Sequence, residues 1–413
     1  MEEKKDKKNV LLCPYYKSCG GCQLQKRSYA EQLYHKQCLA IETLGKFGHV
    51  EEIIGAEDYL HYRNKVHAAF GLDEKGKVVS GIYKAGTHKI VNVDQCLIDN
   101  ETADSIILSI RHMLREFKIQ VFDERSGKGW LRHVLVRRGY STGEVMVVLV
   151  AVDPIFKLQK PFLKKLLEKH PEITTVVLNI NDRFGPVVLG TRNKVLFGSG
   201  TIEDELCLNR FRISPNSFYQ INSAQTEKLY AKAIDFAGLT GNETVLDAYC
   251  GIGSIAITAA SRAKQVVGVE INKDAVFDAI TNARINKIKN CWFTAGDAGE
   301  YMEQMASEKV KPDVVFMDPP RAGSDEKFLS SLVKCAPQKI VYISCNIETQ
   351  ARDLGYLEAN GYKVRRLQPV DMFPFTSYVE CICLLSKKDV KHNDYVKIGL
   401  DTEDYYRIKV SHT

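Results

Sequence analysis

An open α/β fold built on a parallel sheet, joined to a smaller β-rich module that carries clustered cysteines, is the architecture this 413-residue sequence predicts. Three observations predict it. From about residue 240 the apolar runs TVLDA, QVVGVE, DVVFM and KIVYIS alternate with helical stretches, as strands do when crossover helices bury both faces of a sheet. The first of these runs ends in the glycine-rich turn DAYCGIG, where a ligand can approach the backbone closely. The first hundred residues instead hold close-set cysteines and short alternating strands such as KVHAAFGL, between turns such as KSCGGC and YKAGTH.

A chain of this length exceeds what one growing core supports, so two or three domains are expected. The shift in pattern divides it into residues 1–212, 213–388 and a polar tail, 389–413. Within the first part, SYAEQLYHKQCLAIETLGKFG has helical spacing, with Ser28 as N-cap and the Gly45 to Gly48 region as its end. LRHVLVRRG and EVMVVLVAVD, parted by YSTG, read as a hairpin. Strands are expected near TTVVLNIN and PVVLGT, and FKLQKPFLKKLLEKH reads as an amphipathic basic helix.

The apolar share is 45% and the charged share 26%, ordinary for a globular protein, and no run is long enough to span a bilayer. The charged start MEEKKDKKNVLL lacks a secretory apolar core, so a cytoplasmic location is expected. In a reducing compartment twelve cysteines are thiols, metal ligands or catalytic groups rather than disulfides. The net charge of +6 permits nucleic-acid binding and equally permits many other functions.

The glycine turn predicts the cofactor. Glu270 closes the strand QVVGV about 20 residues beyond it, where an open sheet places an acid against a ribose hydroxyl pair. DAYCGIG has only G-x-G with an acid before it; a pyrophosphate would be repelled there, whereas the zwitterionic end of S-adenosylmethionine is accommodated. Asp297, at the next strand end, is either an adenine contact or a helix cap.

Three further strand ends carry chemistry. Asp318-Pro319-Pro320-Arg321 follows VVFM, Cys345-Asn346 follows KIVYIS, and Glu380 opens the apolar run ECICLL. The prolines stiffen the first loop, a thiol at a strand end is open to attack a ligand, and a carboxylate inside an apolar strand titrates nearer neutrality. Carbon 5 of uracil is too weak a nucleophile to accept a methyl group directly. A thiolate added to carbon 6 makes it an enolate, polar anchors stabilise that charge, and a base then removes the carbon 5 proton. Cys345, Asp318 with Gln220, and Glu380 supply this set.

Cys13, Cys19 and Cys22, with Cys96 after a long gap, provide four thiolates for an iron-sulfur cluster or a zinc ion. The first spacing is not that of radical S-adenosylmethionine enzymes, so the role is read as structural. The remaining cysteines are scattered singly.

With these motifs the sequence resembles the bacterial RNA uracil-5-methyltransferases, particularly the iron-sulfur branch acting on 23S ribosomal RNA. The likeness covers roughly residues 13 to 386 and rests on the four cysteines, YRNK from Tyr62, LRHVLVRR from Leu131, FYQIN from Phe218, DAYCGIG, DPPRAG, SCN and the late glutamate. It implies a Rossmann-like class I methyltransferase domain beside a smaller domain with an iron-sulfur cluster of the 4Fe-4S type, and a helix near 25–57 that packs on the former. It implies Cys345 as nucleophile, Glu380 as base, Gln220 and Asp318 at uracil or cofactor, and Tyr249, Gly251, Glu270 and Asp297 lining S-adenosylmethionine. The sequence departs from the likeness in having no β-barrel before Cys13, and in having Phe375 and Tyr378 where histidines are common.

The partner expected is RNA, with no membrane and no obligate protein partner. Phe218 and Tyr219 are candidates for stacking on bases, and Arg132, Arg137, Arg138, Arg63 and Lys65 for holding phosphates. Transfer RNA is the alternative substrate. An amino-group methyltransferase leaves Cys345 and Glu380 unused, and a non-catalytic iron-sulfur RNA-binding protein leaves DAYCGIG, Glu270 and DPPR unexplained.

Overall fold

In a computed structural model, residues 11–388 are described except for 85, 125, 184 and 186; the tail 389–413 lies outside the described residues. The chain forms two seven-stranded sheets. Near its start lie a single helical turn, α1 (Tyr16–Cys19), and α2 (Tyr29–Leu44). Ser28 caps α2 with a full capping box: its hydroxyl accepts from the Glu31 N–H and the Glu31 carboxylate accepts from its own N–H.

The first sheet comprises β1 (Lys65–Leu72), β2 (Val78–Tyr83), β3 (Ile90–Asn92), β4 (Leu131–Arg138), β5 (Val145–Ala151), β6 (Ile173–Ile180) and β7 (Arg192–Phe197), in the order β3-β2-β1-β4-β5-β6-β7. All neighbours are antiparallel except β5 and β6, which α4 (Gln159–Lys169) joins as a crossover. The residues expected to form a β-rich module thus carry a helix layer as well. Val66, Ala68, Phe70, Val134 and Val136 pack with Ile106 and Ile110 of α3 (Glu101–Glu116) and with Phe162 and Leu166 of α4. PVVLGT forms no strand where it is described; the edge strand begins later, at Arg192, and Gly190 before it passes too close to the Ile180 carbonyl for any side chain.

A two-stranded ribbon, β8 (Ile202–Leu206) with β9 (Asn209–Ile213), and α5 (Ser223–Ala237) lead into the second half. There the elements alternate: β10 (Thr244–Ala248), α6 (Ser254–Ala260), β11 (Gln265–Glu270), α7 (Lys273–Ile285), β12 (Cys291–Ala295), α8 (Ala298–Ser307), β13 (Val314–Met317), α9 (Glu326–Cys335), β14 (Lys339–Ser344), α10 (Ile347–Ala359), β15 (Tyr362–Val370) and β16 (Glu380–Lys387). The order is β12-β11-β10-β13-β14-β16-β15, with the first five strands parallel and β16 antiparallel to both neighbours. This is the open α/β sheet expected of the second half, with one reversed strand.

Chain order and packing differ in two places. Helix α2 packs on α10 and β15 of the second sheet, where Lys36 makes a fully buried ion pair with Asp371 at 2.5 Å. The face of the first sheet away from α3 is also shared: Leu135, Met146, Val148 and Val177 join one core with Phe211, Leu229, Val245 and Phe316.

Candidate active site

The cofactor edge starts where β10 ends. Tyr249, Gly251 and Gly253 all have positive φ, so the turn folds back sharply before α6. A side chain at Gly253 would strike the Phe293 ring, whereas Gly251 faces open space, leaving backbone accessible on that side. The Gly251 N–H donates to Glu270 Oε2 at 3.1 Å, and the Asn272 N–H to Glu270 Oε1 at 2.8 Å. Those bonds fix the Glu270 carboxylate beside the turn.

Asp247 lies beneath it, fully buried. One carboxylate oxygen accepts from the Ala256 N–H at 2.8 Å; the other has no partner among the described residues. Burial, with Asp318 and Glu270 nearby, holds its pKa well above the carboxylate range. An orphaned buried acceptor beside an open glycine turn fits a ligand that brings its own cation, as the amino group of S-adenosylmethionine does. Asp297 caps α8 by accepting from the Glu300 N–H at 3.0 Å, so the capping alternative describes its own bonds; it also lies near enough to Tyr249 to raise that phenol.

The second edge is built by register. Parallel β13 and β14 both end at the same rim of the sheet, delivering Asp318 and Cys345. Because β16 runs the other way, its first residue, Glu380, starts at that rim. The thiol feels both carboxyls, and Glu380 feels Asp318. Burial pushes the Cys345 thiol up to about 11, Glu380 and Asp318 push in the same direction, and Arg321 pulls it down. Burial, reinforced by Asp318, holds Glu380 well above its usual range, and loss of hydration raises Asp318 too. Two carboxyls this close in a dry setting favour holding a proton between them.

Neighbouring residues hold these loops in place. Asn346 caps α10 and donates through Nδ2 to the Arg321 carbonyl at 3.2 Å, tying SCN to DPPR. Arg321 donates to the Tyr378 hydroxyl at 3.2 Å and stacks on its ring at 4.3 Å. Asn64 of YRNK donates to the Gln220 carbonyl at 2.9 Å and receives the Ile221 carbonyl on its own N–H, so YRNK and FYQIN form one unit. Gln220 itself is buried, and Phe218 beside it is 61% exposed.

Several charged candidates are placed elsewhere. Arg132 is buried and does not serve as a free phosphate contact: it donates to the Asn181 and Arg183 carbonyls, pairs with Glu124 and stacks on Phe122. Arg137 is buried as well and donates to the Ser217 carbonyl. Arg63 stays half-exposed, 3.6 Å from Asp99, and burial beside Arg137 and Arg63 lowers Lys65 to about 8. Residues the sequence did not single out include Tyr230, whose hydroxyl meets Ser254 at 3.0 Å and whose phenol feels Asp318. On an apolar helical face it has no signal separating it from core.

Cys13, Cys19 and Cys22 lie within electrostatic reach of one another, and Asp99 acts on Cys19, Cys22 and Cys96 alike. The Gly21 N–H donates to Cys19 Sγ at 3.4 Å. Among the described residues no group of three or more His, Cys, Asp or Glu side chains is drawn together tightly enough to hold a metal ion. The donor chemistry suits a thiolate-held cation; ligand geometry is not formed.

Residues 28–388 match the family described as tRNA (Uracil-5-)-methyltransferase. The chain belongs to this family. An RNA methyltransferase of Clostridium acetobutylicum, described as uncharacterized, is 41% identical over 394 residues, covering 94% of this chain and 85% of its own. One from Staphylococcus aureus, described in the same words, is 41% identical over 381 residues, covering 91% and 84%. Among solved structures, the tRNA (uracil-54, C5)-methyltransferase of Pyrococcus abyssi in complex with S-adenosyl-L-homocysteine aligns with a TM-score of 0.74 and 29% identity, over 89% of this chain and 86% of that one. The protein is an S-adenosylmethionine-dependent RNA (uracil-5-)-methyltransferase with a class I α/β fold. No helix among the described residues is long and apolar enough to cross a membrane.

Proposed function

We propose that this enzyme methylates uridine in 23S ribosomal RNA with Cys345 as nucleophile and Glu380 as base. The observation that carries the reading is the meeting of Cys345, Asp318 and Glu380 at one rim of the second sheet, where burial and both carboxyls raise the thiol, and burial and Asp318 raise Glu380.

The Cys345 thiolate bonds to carbon 6 of uracil, and the carbon 5–carbon 6 electron pair moves into an enolate. S-adenosylmethionine supplies an electrophilic methyl group on its sulfonium. Asp318 and Gln220 hold the uracil edge, Arg321 lowers the cost of ionising the thiol, and Asp247, Gly251 and Glu270 seat the donor. After carbon 5 has taken the methyl, Glu380 accepts the carbon 5 proton, the ring double bond reforms and the Cys345 sulfur leaves as thiolate. Asp297 and Tyr249 close the adenosine side, and Phe218 stacks on RNA bases.

In this reading residues 1–212 engage the RNA, 213–388 carry out the chemistry, and Cys13, Cys19, Cys22 and Cys96 hold a structural iron-sulfur cluster of the 4Fe-4S type. The cysteine spacing and the shared influence of Asp99 on three of the thiols support that ligand set. Iron and acid-labile sulfide in anaerobically purified protein, lost in Cys22→Ala, test it.

Transfer RNA is the second reading, favoured by what the Pyrococcus abyssi relative is named for. Mapping 5-methyluridine by mass in 23S and transfer RNA, with and without this protein, separates the two. RNA containing 5-fluorouridine should trap the enzyme covalently through Cys345. Turnover on ordinary RNA with no trapped species would remove the adduct mechanism.

A further inference from the structure

The segment that follows Cys22 is tied to the turn that leads into Glu380. Leu24 donates its N–H to the Phe375 carbonyl at 2.9 Å. Gln23 accepts the Ser377 N–H on Oε1 at 3.3 Å while its Nε2 donates to the Gly20 carbonyl at 3.1 Å. Gln32 of α2 accepts the Phe375 N–H at 2.7 Å, and Tyr62 donates to the Pro374 carbonyl at 3.0 Å. Phe375 sits at φ 68, a left-handed conformation that a bulky residue keeps only where its surroundings impose it. Here both its N–H and its carbonyl are held from the N-terminal segment.

The turn continues to Tyr378, which holds Arg321 by its ring and its hydroxyl. Arg321 is the cation acting on Cys345, against the anionic influence of Glu380 and Asp318. We infer that Gln23 and Leu24 are positioning residues for the catalytic thiol: they fix the 373–378 turn so that Tyr378 keeps Arg321 beside Cys345. The inference rests on Cys345 being the nucleophile. It gives the cysteine-bearing segment a defined effect on the reaction, exerted through main-chain bonds to a turn more than 340 residues further along the chain.

The test uses the full chain without RNA, measuring alkylation of Cys345 by iodoacetamide from pH 7 to 10 by peptide mass, with S-adenosylhomocysteine affinity by calorimetry as the check on folding. Gln23→Ala is expected to slow alkylation at pH 8 about threefold, the equivalent of half a pKa unit, with little change in S-adenosylhomocysteine affinity. Tyr378→Ala should slow alkylation at least as much as Gln23→Ala, and in both variants the pH profile should move to higher pH. Wild-type alkylation at every pH in Gln23→Ala overturns the proposal, as does wild-type alkylation at every pH in Tyr378→Ala. If Gln23→Ala fails the affinity check, Tyr378→Ala decides. Failure of the nucleophile reading shows separately, as full methyl transfer by Cys345→Ala.

Discussion

Glu380 begins the strand antiparallel to β14, which ends one residue before Cys345: Ser344 pairs with Cys381, so one further step of the ladder places Cys345 opposite Glu380 at the open end of the sheet. Parallel strands alone deliver their side chains to that rim only at their ends. The reversed strand adds a buried group from its beginning, one that arrives with hydrophobic cover on both sides.

This pairing separates bond formation from release. In Glu380→Gln the sulfur still adds to carbon 6 and the methyl group still transfers, but the carbon 5 proton has no acceptor. A protein–RNA adduct stable on a denaturing gel should accumulate, carrying methyl from labelled donor, while multiple turnover falls by about 10²-fold or more. Adduct levels equal to wild type together with unchanged turnover would falsify the role of Glu380.

The thiol, pushed up to about 11, is largely protonated at neutral pH, and its reactive form grows as pH rises towards that value. Single-turnover methyl transfer should therefore climb between pH 7 and 9, with a limiting slope of about tenfold per unit. Arg321→Ala removes the cation that favours the thiolate, so its rate should lie below wild type by a constant factor between pH 7 and 9, with the gap narrowing only as pH approaches the thiol's own value. A pH-independent rate in both proteins contradicts this.

Lys36 and Asp371 are both inaccessible to solvent, and Tyr29 donates to the same carboxylate at 2.9 Å. Lys36→Met leaves Asp371 buried without its cation, a change that typically costs about 3–5 kcal/mol. Urea unfolding should show that loss, and the double variant Lys36→Met, Asp371→Leu should recover part of it. Asp371 also lies in the segment leading to Glu380, so activity in the single variant should fall before the protein unfolds.

Phe218 and Arg132 should respond oppositely. Phe218→Ala removes an exposed ring next to the buried Gln220 and should weaken RNA binding by about 1–3 kcal/mol, the range of one base–aromatic stack, with stability unchanged. Arg132→Ala cuts bonds to two carbonyls and to Glu124; it should lower the melting temperature and leave the salt dependence of RNA binding as it was.

The candidate catalytic rim is readable in the sequence because each chemical residue follows or opens an apolar run, and a strand end is where an open sheet exposes side chains. DAYCGIG, DPPR and SCN were read this way, and Glu380 stood out as a carboxylate against an apolar strand. Arg132 and Arg137 were misjudged for the complementary reason. LRHVLVRR carries its charges at the two ends of an apolar run, where side chains commonly reach solvent, and nothing local reveals that the carbonyls of Asn181, Arg183 and Ser217 meet Arg132 and Arg137. The α3 layer escaped notice because ETADSIILSIRHMLRE lies inside a stretch dominated by turn and strand signals. The Lys36–Asp371 pair joins residues 335 positions apart, beyond the reach of any local pattern.

The two sheets do not meet across a linker. Leu135, Met146 and Val177 share one continuous apolar interior with Leu229, Val245 and Phe316. Cutting the gene near codon 213 would therefore release two fragments, each with a freshly exposed greasy surface, and neither should remain dissolved or bind its ligand alone. Heating the intact chain should give a single calorimetric transition, and proteases should find few early nicks between the halves. Variation in the first half is accordingly constrained by the seam it shares with its neighbour.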